Sequence, residues 1–597
     1  MPFCPYESPH LGSSLLKSKL ETKGYYTNVL YFNLKFLKEL GLDVYDQISG
    51  NNNTLHYIVG DLVFSEYLFN KKLDIESTIQ YFLRTKKELV NMEKIIENFQ
   101  NAINIVPSFL ERCLENIMEF KPKLIGFSNS YYQTCASVSL AKKIKEESNI
   151  PIIFGGANCE GIMGFTMLQC FPYIDYICSG DADISFIEFV DSLLNKKKIS
   201  HINGILSRKS SILEIHLTKP VMEMNNLPFP NFKDYFDSIN DDIVNLNQIK
   251  IGFETSRGCW WGENNHCTFC GLNGFTMKYR SKSSDRVFKE IKYIVDKYEI
   301  NSFHFTDNIL DTTYFKKLFP KIMKEKMDLN MFYETKSNLS KRQLHLMKRS
   351  GVNAIQPGLE SLSDSILKIM NKGTTTLHNI FLLKMCQEID LNVYWNILTG
   401  FPYESISDYQ KMLEIIPLIS HLQPPQYVGQ FQLSRYSPYF YEPKKYGIYN
   451  IRPLKMYPLI YPFDNDTLSR LVYFFDYDVD VSADLHSEHK KLDKLVHKWR
   501  LLWSQKPPEL KMKHSEKIIL IKDTRPISTQ NLYLLKNENL LIYHICESPQ
   551  SFDNIYEYVQ RNFPLNRCEL ESKLSILCDK KLLLEIDDQY LSLAIKI

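Results

Sequence analysis

The stretch Glu254-Thr-Ser-Arg-Gly-Cys-Trp-Trp-Gly-Glu-Asn-Asn-His-Cys-Thr-Phe-Cys-Gly-Leu-Asn-Gly274 carries three cysteines, Cys259, Cys267 and Cys270. Three thiolates hold three irons of a [4Fe–4S] cube and leave the fourth open to a small-molecule ligand, whereas a closed cluster site takes four cysteines. The triad therefore points to a catalytic site. A structural zinc site needs a fourth Cys or His. His266 is adjacent to Cys267 and badly placed to share one tetrahedron with it. Three structural thiols without any metal are the remaining alternative.

Outward from the triad, strand and helix signals alternate. Ile249 to Glu254 reads as a strand feeding the cysteine loop, and Ser283 to Lys297 as a helix. Ser302-Phe-His-Phe-Thr306 is a strand ending in Asp307-Asn308, and Asn330-Met-Phe-Tyr-Glu334 is the next. Ser340 to Ser350 is a helix that Ser340 would cap. Ala354-Ile-Gln-Pro-Gly358 and Val393 to Thr399 continue the pattern. This predicts a partial (β/α) barrel of TIM type over 245–425, whose chemistry belongs at the carboxyl ends of the strands.

A second alternation precedes it. Leu124 to Ser128, Pro151 to Gly156 and Ile174 to Gly180 read as strands, with a helix over Gln133 to Glu147. That pitch implies right-handed crossovers and a parallel sheet, so 1–240 is expected to be a Rossmann-like domain. Gly126, Gly155, Gly156 and Gly180 stand where a missing Cβ lets a large flat ligand approach. After Pro424 the periodicity weakens, and 426–510 is expected to be an irregular cap. In 511–597, helices over Ser551–Asn562 and Arg567–Cys578 and a hairpin around Asp587-Asp588-Gln589 predict a small winged-helix-like module. The fold class is α/β throughout.

The 597 residues balance 71 Lys plus Arg against 69 Asp plus Glu, so no global field draws nucleic acid or an acidic membrane. No apolar run reaches the roughly 18 residues of a membrane span, and the start lacks a signal-peptide pattern. These features predict a cytoplasmic protein. The thirteen cysteines do not form a disulfide framework. Ten of them, including Cys113, Cys178, Cys386 and Cys578, are expected to be small buried hydrophobes.

The triad resembles that of the radical S-adenosylmethionine (SAM) enzymes. Their commonest spacing is Cys-x3-Cys-x2-Cys. Here the first gap is seven residues. That departure is shared with the cobalamin-dependent radical SAM enzymes that mature ribosomally made peptides. Their loop reads much like Arg-Gly-Cys-Trp-Trp-Gly…His-Cys-Thr-Phe-Cys-Gly-Leu-Asn-Gly. The resemblance covers nearly the whole chain.

It implies that Cys259, Cys267 and Cys270 hold a [4Fe–4S] cluster whose open iron chelates SAM, which an electron then cleaves to a deoxyadenosyl radical. Phe269 would pack near the adenine, and Gly271 and Gly274 would give the loop its tight path. Gly400 and Glu404 resemble the glycine-rich segment flanking adenine. Gln356, Glu360 and Ser361 resemble the segment near the ribose and methionine. Glu334 and Lys336 would bind the ammonium and carboxylate of SAM, with surface ion pairing as their alternative. Asp307 is a site residue or an Asx-type turn former. Arg435 and Tyr439 would face the substrate, with a buried core tyrosine as the alternative for Tyr439.

The amino-terminal segment resembles a cobalamin-binding domain: Ser128 with Gln133, Gly155-Gly156 with Glu160, and Gly180-Asp-Ala-Asp. Without an Asp-x-His-x-x-Gly motif, cobalamin would be base-off and His-off. Relatives carry a full strand before the segment matching Met1-Pro-Phe, and this chain starts at that strand's end. A cofactor-free Rossmann-like domain is the alternative. The winged-helix module would dock a leader peptide by strand addition or be purely structural, rather than bind DNA, because Cys568 to Leu574 carries two glutamates.

The expected function is C-methylation of an unactivated carbon of a ribosomal precursor peptide, with flavodoxin or ferredoxin as electron donor. A peptide-crosslinking, cyclising or rearranging radical SAM enzyme is the second reading. A non-catalytic iron–sulfur or zinc protein with a regulatory winged helix is the third.

Overall fold

The computed structural model describes residues 1–49, 59–83, 91–212, 215, 218–239, 244–274, 276–480 and 482–597. The expected domain boundary at 240 lies outside the described residues.

The described part of the first 120 residues is helical, which the sequence reading did not anticipate. The longest helix, Met92–Glu119, buries Ile95, Phe99, Ala102, Val106, Phe109 and Cys113 on one stripe. It packs against helices Val59–Phe69 and Thr134–Glu147. Phe3 lies inside the same core, 5.6 Å from the Phe36 ring and 5.2 Å from that of Tyr45.

The Rossmann-like sheet follows. Strands β1 (Ile125–Ser128), β2 (Ile152–Gly155) and β3 (Tyr176–Cys178) are parallel neighbours, and β4 (Ile205–Ser207) adds antiparallel to β3. Ile153, Phe154 and Ile177 are buried between the helices that cover both faces, as a parallel sheet requires.

A second parallel run carries the cysteine loop. β5 (Ile251–Phe253), β6 (Ser302–Phe305), β7 (Asn330–Glu334), β8 (Val352–Gln356) and β9 (Asn392–Val393) are adjacent in chain order. Connecting helices include Ser284–Tyr298 and Lys341–Arg349. Ser340 caps the latter in a reciprocal capping box with Gln343. The strand expected over Val393–Thr399 is broken. Trp395 is buried and donates its indole N–H to the Gln423 carbonyl at 3.0 Å, so β10 (Asn396–Thr399) starts a separate pair with β11 (Tyr427–Gln430). A bridge between Glu360 and Ile397 rejoins this pair to the run.

The segment expected to be irregular is ordered. Leu433–Ser434, Phe474–Asp478 and Tyr449–Pro453 form an antiparallel sheet, and helix Ala483–Gln505 packs on helix Ile406–Leu418. Its Tyr and Pro content hid short strands whose alternation is interrupted. The carboxyl-terminal module has helices Asn537–Ile545, Phe552–Gln560 and Arg567–Asp579 and hairpin Leu583–Ile586/Gln589–Ser592. A further sheet precedes these, with order Leu532–Lys536, Ile518–Asp523, Leu510–His514 and Ile595–Lys596. Among the described residues no helix is long and apolar enough to cross a membrane. Cys113, Cys178 and Cys386 are buried as expected, while Cys578 is only half-buried and Cys568 is exposed.

Candidate active site

The chain leaves β5 and forms a short hairpin, Ser256–Arg257 against Arg280–Ser281, that closes the cysteine loop at its base. Gly258 makes this closure possible: its φ is +79°, and a Cβ there would stand 2.2 Å from the Lys278 carbonyl oxygen. Below the hairpin, Asp307 follows β6. Its buried carboxylate accepts from the Thr255 and Ser256 amides at 2.7 and 2.8 Å and from the Thr255 hydroxyl. Burial raises its pKa to about 7, and those donors work against the shift. Asp307 thus sets the exit angle of the loop rather than lining a cleft.

Two other segments clamp the loop. On one side, Thr268 donates through its amide to the Met370 carbonyl and through its hydroxyl to that of Ile369, both at 3.1 Å. The Trp261 indole donates to the Asn371 carbonyl at 3.1 Å. On the other side the cap packs close. Tyr473 donates to the Gly271 carbonyl at 2.9 Å, and a Cβ on Gly271 would stand 2.2 Å from the Arg435 carbonyl oxygen. His266 is turned onto the loop itself: its Nε2 donates to the Cys270 carbonyl at 2.8 Å.

The three thiols are partly buried on this loop and carry no disulfide. Burial raises Cys259, and burial raises Cys270 to about 12; backbone amides oppose both shifts, and the neighbouring thiols add to them. Gly262 N–H points at Cys259 Sγ at 3.3 Å, a contact that favours the thiolate. Among the described residues only His514, His544 and Glu547 bring three ligand atoms within 4.8 Å of one another. The three thiols are therefore spread more widely than the corners around one tetrahedral ion.

The sequence reading missed a cation beside them. Burial alone would lower the Lys372 ammonium, yet Glu360 and the thiolates of Cys267, Cys270 and Cys259 hold its pKa above the ordinary lysine value. Lys372 Nζ lies 3.6 Å from Glu360 Oε1 and 5.8 Å from the Phe269 ring centroid. The local signal was Asn371-Lys-Gly373, a lysine between two residues of positive φ, +57° and +60°. Gly373 is required there, because a Cβ would stand 2.2 Å from the Trp261 ring.

The other expected site residues divide. Glu334 ends β7, and its half-buried carboxyl is raised to about 7 by burial and by Glu360, against Lys372. Gln356 ends β8 and is exposed. Phe269 packs edge-on to Phe401 at 5.6 Å. Lys336 lies 3.5 Å over the Trp261 ring and donates to the Lys372 carbonyl. Its pKa falls to about 8, through burial and then the charge of Lys372. Gly400 has φ +82°, with its amide on Glu404 Oε2 at 3.0 Å. Glu404 is buried and also lies 3.3 Å from His489 Nε2, so it shapes its own loop.

Three expectations need correction. The Ser361 hydroxyl is fully buried against Met412 and the Ser363 amide, away from any cleft. Arg435 does not face a substrate pocket: its guanidinium donates to the Val472 carbonyl at 2.9 and 2.7 Å and to that of Ser469 at 2.5 Å. Tyr439 is fully buried between Phe431 and Tyr446, at 5.3 and 4.8 Å. For Ser361 and Arg435 interior partners outbid solvent for a polar group that composition alone leaves undirected, whereas Tyr439 is held by its ring contacts.

On the Rossmann-like sheet, Gly156 and Gly180 are glycines for internal reasons. Their Cβ atoms would stand 2.6 Å from the Asn129 carbonyl oxygen and 2.6 Å from the Thr218 hydroxyl. Gly155 and Gly126 are open, with no neighbour nearer than 3.7 and 3.8 Å. Gln133 donates to the Met1 carbonyl at 3.0 Å. His10 reaches the β1 end, 3.2 Å from Ser128 Oγ. Its Nδ1 accepts the Ser13 amide at 3.1 Å, which leaves Nε2 as the donor to Ser128.

Two contacts join this sheet to the cysteine loop. Asp183 and Asp181 pair with Arg257 and Arg280 at 2.7 and 2.6 Å, with Glu254 on Arg257 at 2.7 Å. The Glu160 carboxylate stands where a Gly274 Cβ would be, 2.2 Å away. The Gly-Asp-Ala-Asp segment is thus a domain joint.

A parallel β/α run whose first loop presents three separated thiols, joined to a Rossmann-like sheet, defines the class. Residues 253–416 match the radical SAM superfamily, and this segment is a radical SAM domain. An uncharacterized methyltransferase of Pyrococcus horikoshii is 25% identical over 309 residues, 50% of this chain and 64% of that protein. An anaerobic magnesium-protoporphyrin IX monomethyl ester cyclase of Synechocystis is 22% identical over 267 residues, 42% and 50%. The chain thus spans about half to two thirds of the length of these curated relatives. Among solved structures, the cobalamin-dependent S-adenosylmethionine radical enzyme OxsB superposes with a TM-score of 0.52 at 15% identity, over 67% of this chain and 61% of that one. The chain shares that α/β fold.

Proposed function

We propose that the chain is a cobalamin-dependent radical SAM methyltransferase that C-methylates a ribosomally synthesised peptide. The carrying observation is the placement of Cys259, Cys267 and Cys270 on the loop after β5 of a radical SAM domain, spread too widely for a single ion. That spread supports a cluster over zinc, the metal half of the third reading. When bound, a [4Fe–4S] cluster with SAM supplies a deoxyadenosyl radical, and cobalamin supplies a transferable methyl group.

The chain's own residues then have assignable tasks. The three cysteines hold the cluster, and the Gly262 amide helps Cys259 do so as thiolate. Lys372 brings positive charge to that corner. Glu334 and Glu360 offer carboxylates to an ammonium, and the exposed Gln356 offers an amide beside them. Phe269, backed by Phe401, offers an apolar face to an adenine. The open Gly126 and Gly155 support a flat ligand over β1 and β2. His10 spends both ring nitrogens within the protein, which supports a base-off, His-off cofactor.

The peptide reading is supported by the carboxyl-terminal sheet. Leu532–Lys536 is its edge strand, and Leu532, Leu534, Leu520 and Ile518 expose an apolar face there, each more than a third accessible. Such an edge accepts an extended peptide. A flavodoxin or ferredoxin in the cytoplasm would supply the electron.

The test is to search the neighbouring reading frames for a short peptide and to incubate it anaerobically with reconstituted protein, cobalamin, reductant and methyl-labelled SAM. Equal deoxyadenosine and S-adenosylhomocysteine with labelled peptide is the expected result. Deoxyadenosine without S-adenosylhomocysteine supports the crosslinking or rearranging reading instead.

A further inference from the structure

The carboxyl-terminal module holds a second constellation of ligand-type side chains, unrelated to the cysteine loop. His514, His544 and Glu547 bring one ligand atom each within 4.8 Å of one another. We propose that these three residues form a divalent-metal site of the zinc class that ties the module's sheet to its first helix.

The donors come from separately fixed pieces of backbone. His514 ends the strand Leu510–His514 and is held in register opposite Ile519. His544 lies in the last turn of helix Asn537–Ile545. Glu547 follows in the next turn, where its amide donates to the His544 carbonyl at 3.1 Å and its own carbonyl accepts Lys384 Nζ at 3.5 Å. Two imidazoles and one carboxylate, each about 2.0–2.2 Å from the ion, are a donor set zinc uses when it keeps a fourth position for water. The closest pair, His544 Nδ1 and Glu547 Oε1, is already 3.0 Å apart, close to the edge of such a tetrahedron. The two rings lie 5.1 Å apart and are tilted by 42° rather than stacked.

Access agrees. His544 is 39% exposed and Glu547 20%, so an ion and its remaining water reach the site from solvent. Two cations border the site: Lys596 Nζ lies 3.9 Å from Glu547 Oε1, and Lys384 Nζ is held on the Glu547 carbonyl; an ion would replace the Lys596 contact. The site would lock the sheet beneath the apolar edge strand to the helix packed on it. It stands whether or not the chain methylates a peptide.

The test uses full-length protein with its iron–sulfur cluster assembled, so that the loop cysteines are not available to the added metal. After exposure to Zn²⁺ and gel filtration, metal content is measured by mass spectrometry, and melting is followed with and without Zn²⁺. About one zinc per chain is expected in the parent, with a higher Tm in its presence. His544→Ala and Glu547→Gln should both lose the zinc and the Tm shift while keeping the parent's iron content. Zinc retained equally by parent and variants, or not retained by the parent, overturns the proposal. Both side chains reach solvent, 39% exposed at His544 and 20% at Glu547, so neither substitution empties the core, and unchanged iron content checks that the variants fold.

Discussion

Lys372 Nζ stands 3.6 Å from Glu360 Oε1 in the corner that the three loop cysteines share. A buried ammonium is costly without partners. Here the thiolates and Glu360 together more than offset that cost. The pairing also bears on chemistry, because a fixed positive charge next to a redox centre favours its more reduced state. Lys372→Met is therefore expected to retain the parent's iron content but to shift the cluster's potential negative. A spectroscopic redox titration checks this. An unchanged potential would assign Lys372 to packing alone.

Gly271 gives a steric prediction. A Cβ at that position would stand 2.2 Å from the Arg435 carbonyl oxygen and 2.4 Å from Ser434 Oγ. The first atom is backbone and cannot swing away. Gly271→Ala should push the cysteine loop off the cap, and its effect should appear as lost iron in anaerobically reconstituted protein before any loss of helix content.

Gly126 behaves in the opposite way. Its nearest neighbour to an added Cβ is Ile153 Cγ2 at 3.8 Å, an ordinary contact. Gly126→Ala should therefore leave Tm within a few degrees of the parent. If a corrin lies over β1, the same methyl should weaken cobalamin binding at least about tenfold, since it intrudes on a face that has to be flat. Equilibrium dialysis with hydroxocobalamin measures this. Undiminished binding would move the cofactor off this face.

The joint between the two sheets rests on Asp183 and Arg257, 2.7 Å apart with both side chains less than a fifth exposed. Removing one partner of a buried pair leaves the other uncompensated, at a cost of about 3–5 kcal/mol. Glu254 remains on Arg257 and softens this, so Asp183→Asn is expected to cost less than that range. The loss should show as a lower Tm and as faster proteolysis between the domains. Equal cleavage of parent and variant would show that the joint is held elsewhere.

The strands at β5 to β8 were legible because each is a compact apolar run ending in polar residues, and buried parallel strands admit little else. The cysteine loop was legible because its chemistry needs one residue type at fixed places. The helix Met92–Glu119 was harder to see, although its apolar stripe is regular. Pro107 interrupts it at an exposed position and reads as a terminator. Side-chain direction was not legible at all for Arg435 or Ser361. Their partners are the carbonyls of Val472 and Ser469, and Met412 and the Ser363 amide. The Arg435 partners lie 34 and 37 residues further along the chain and are set only once the cap folds on itself. Lys372 escaped notice for the same reason: Glu360 is close in sequence, but the three cysteines it faces lie on a loop far upstream.

Asp61 gives a pH prediction. Its carboxyl is fully buried in helix Val59–Phe69 and accepts from the Tyr461 hydroxyl and the Cys135 amide, both at 2.7 Å. Burial raises its pKa from the ordinary 3.8 to about 7, and the two donors only partly oppose this. The unfolded chain therefore releases this proton near pH 4 while the folded chain keeps it to about pH 7. Across that window the folded state binds more protons, so stability is full below pH 4 and falls as pH rises toward 7. For one proton the slope cannot exceed about 1.4 kcal/mol per pH unit. Asp61→Asn keeps an acceptor for Tyr461 and has nothing to ionise. Its urea-unfolding free energy should be flatter between pH 4.5 and 6.5 than the parent's, by up to that slope. Parallel curves for the two proteins would mean that Asp61 is already ionised in the folded chain, held there by Tyr461 and Cys135.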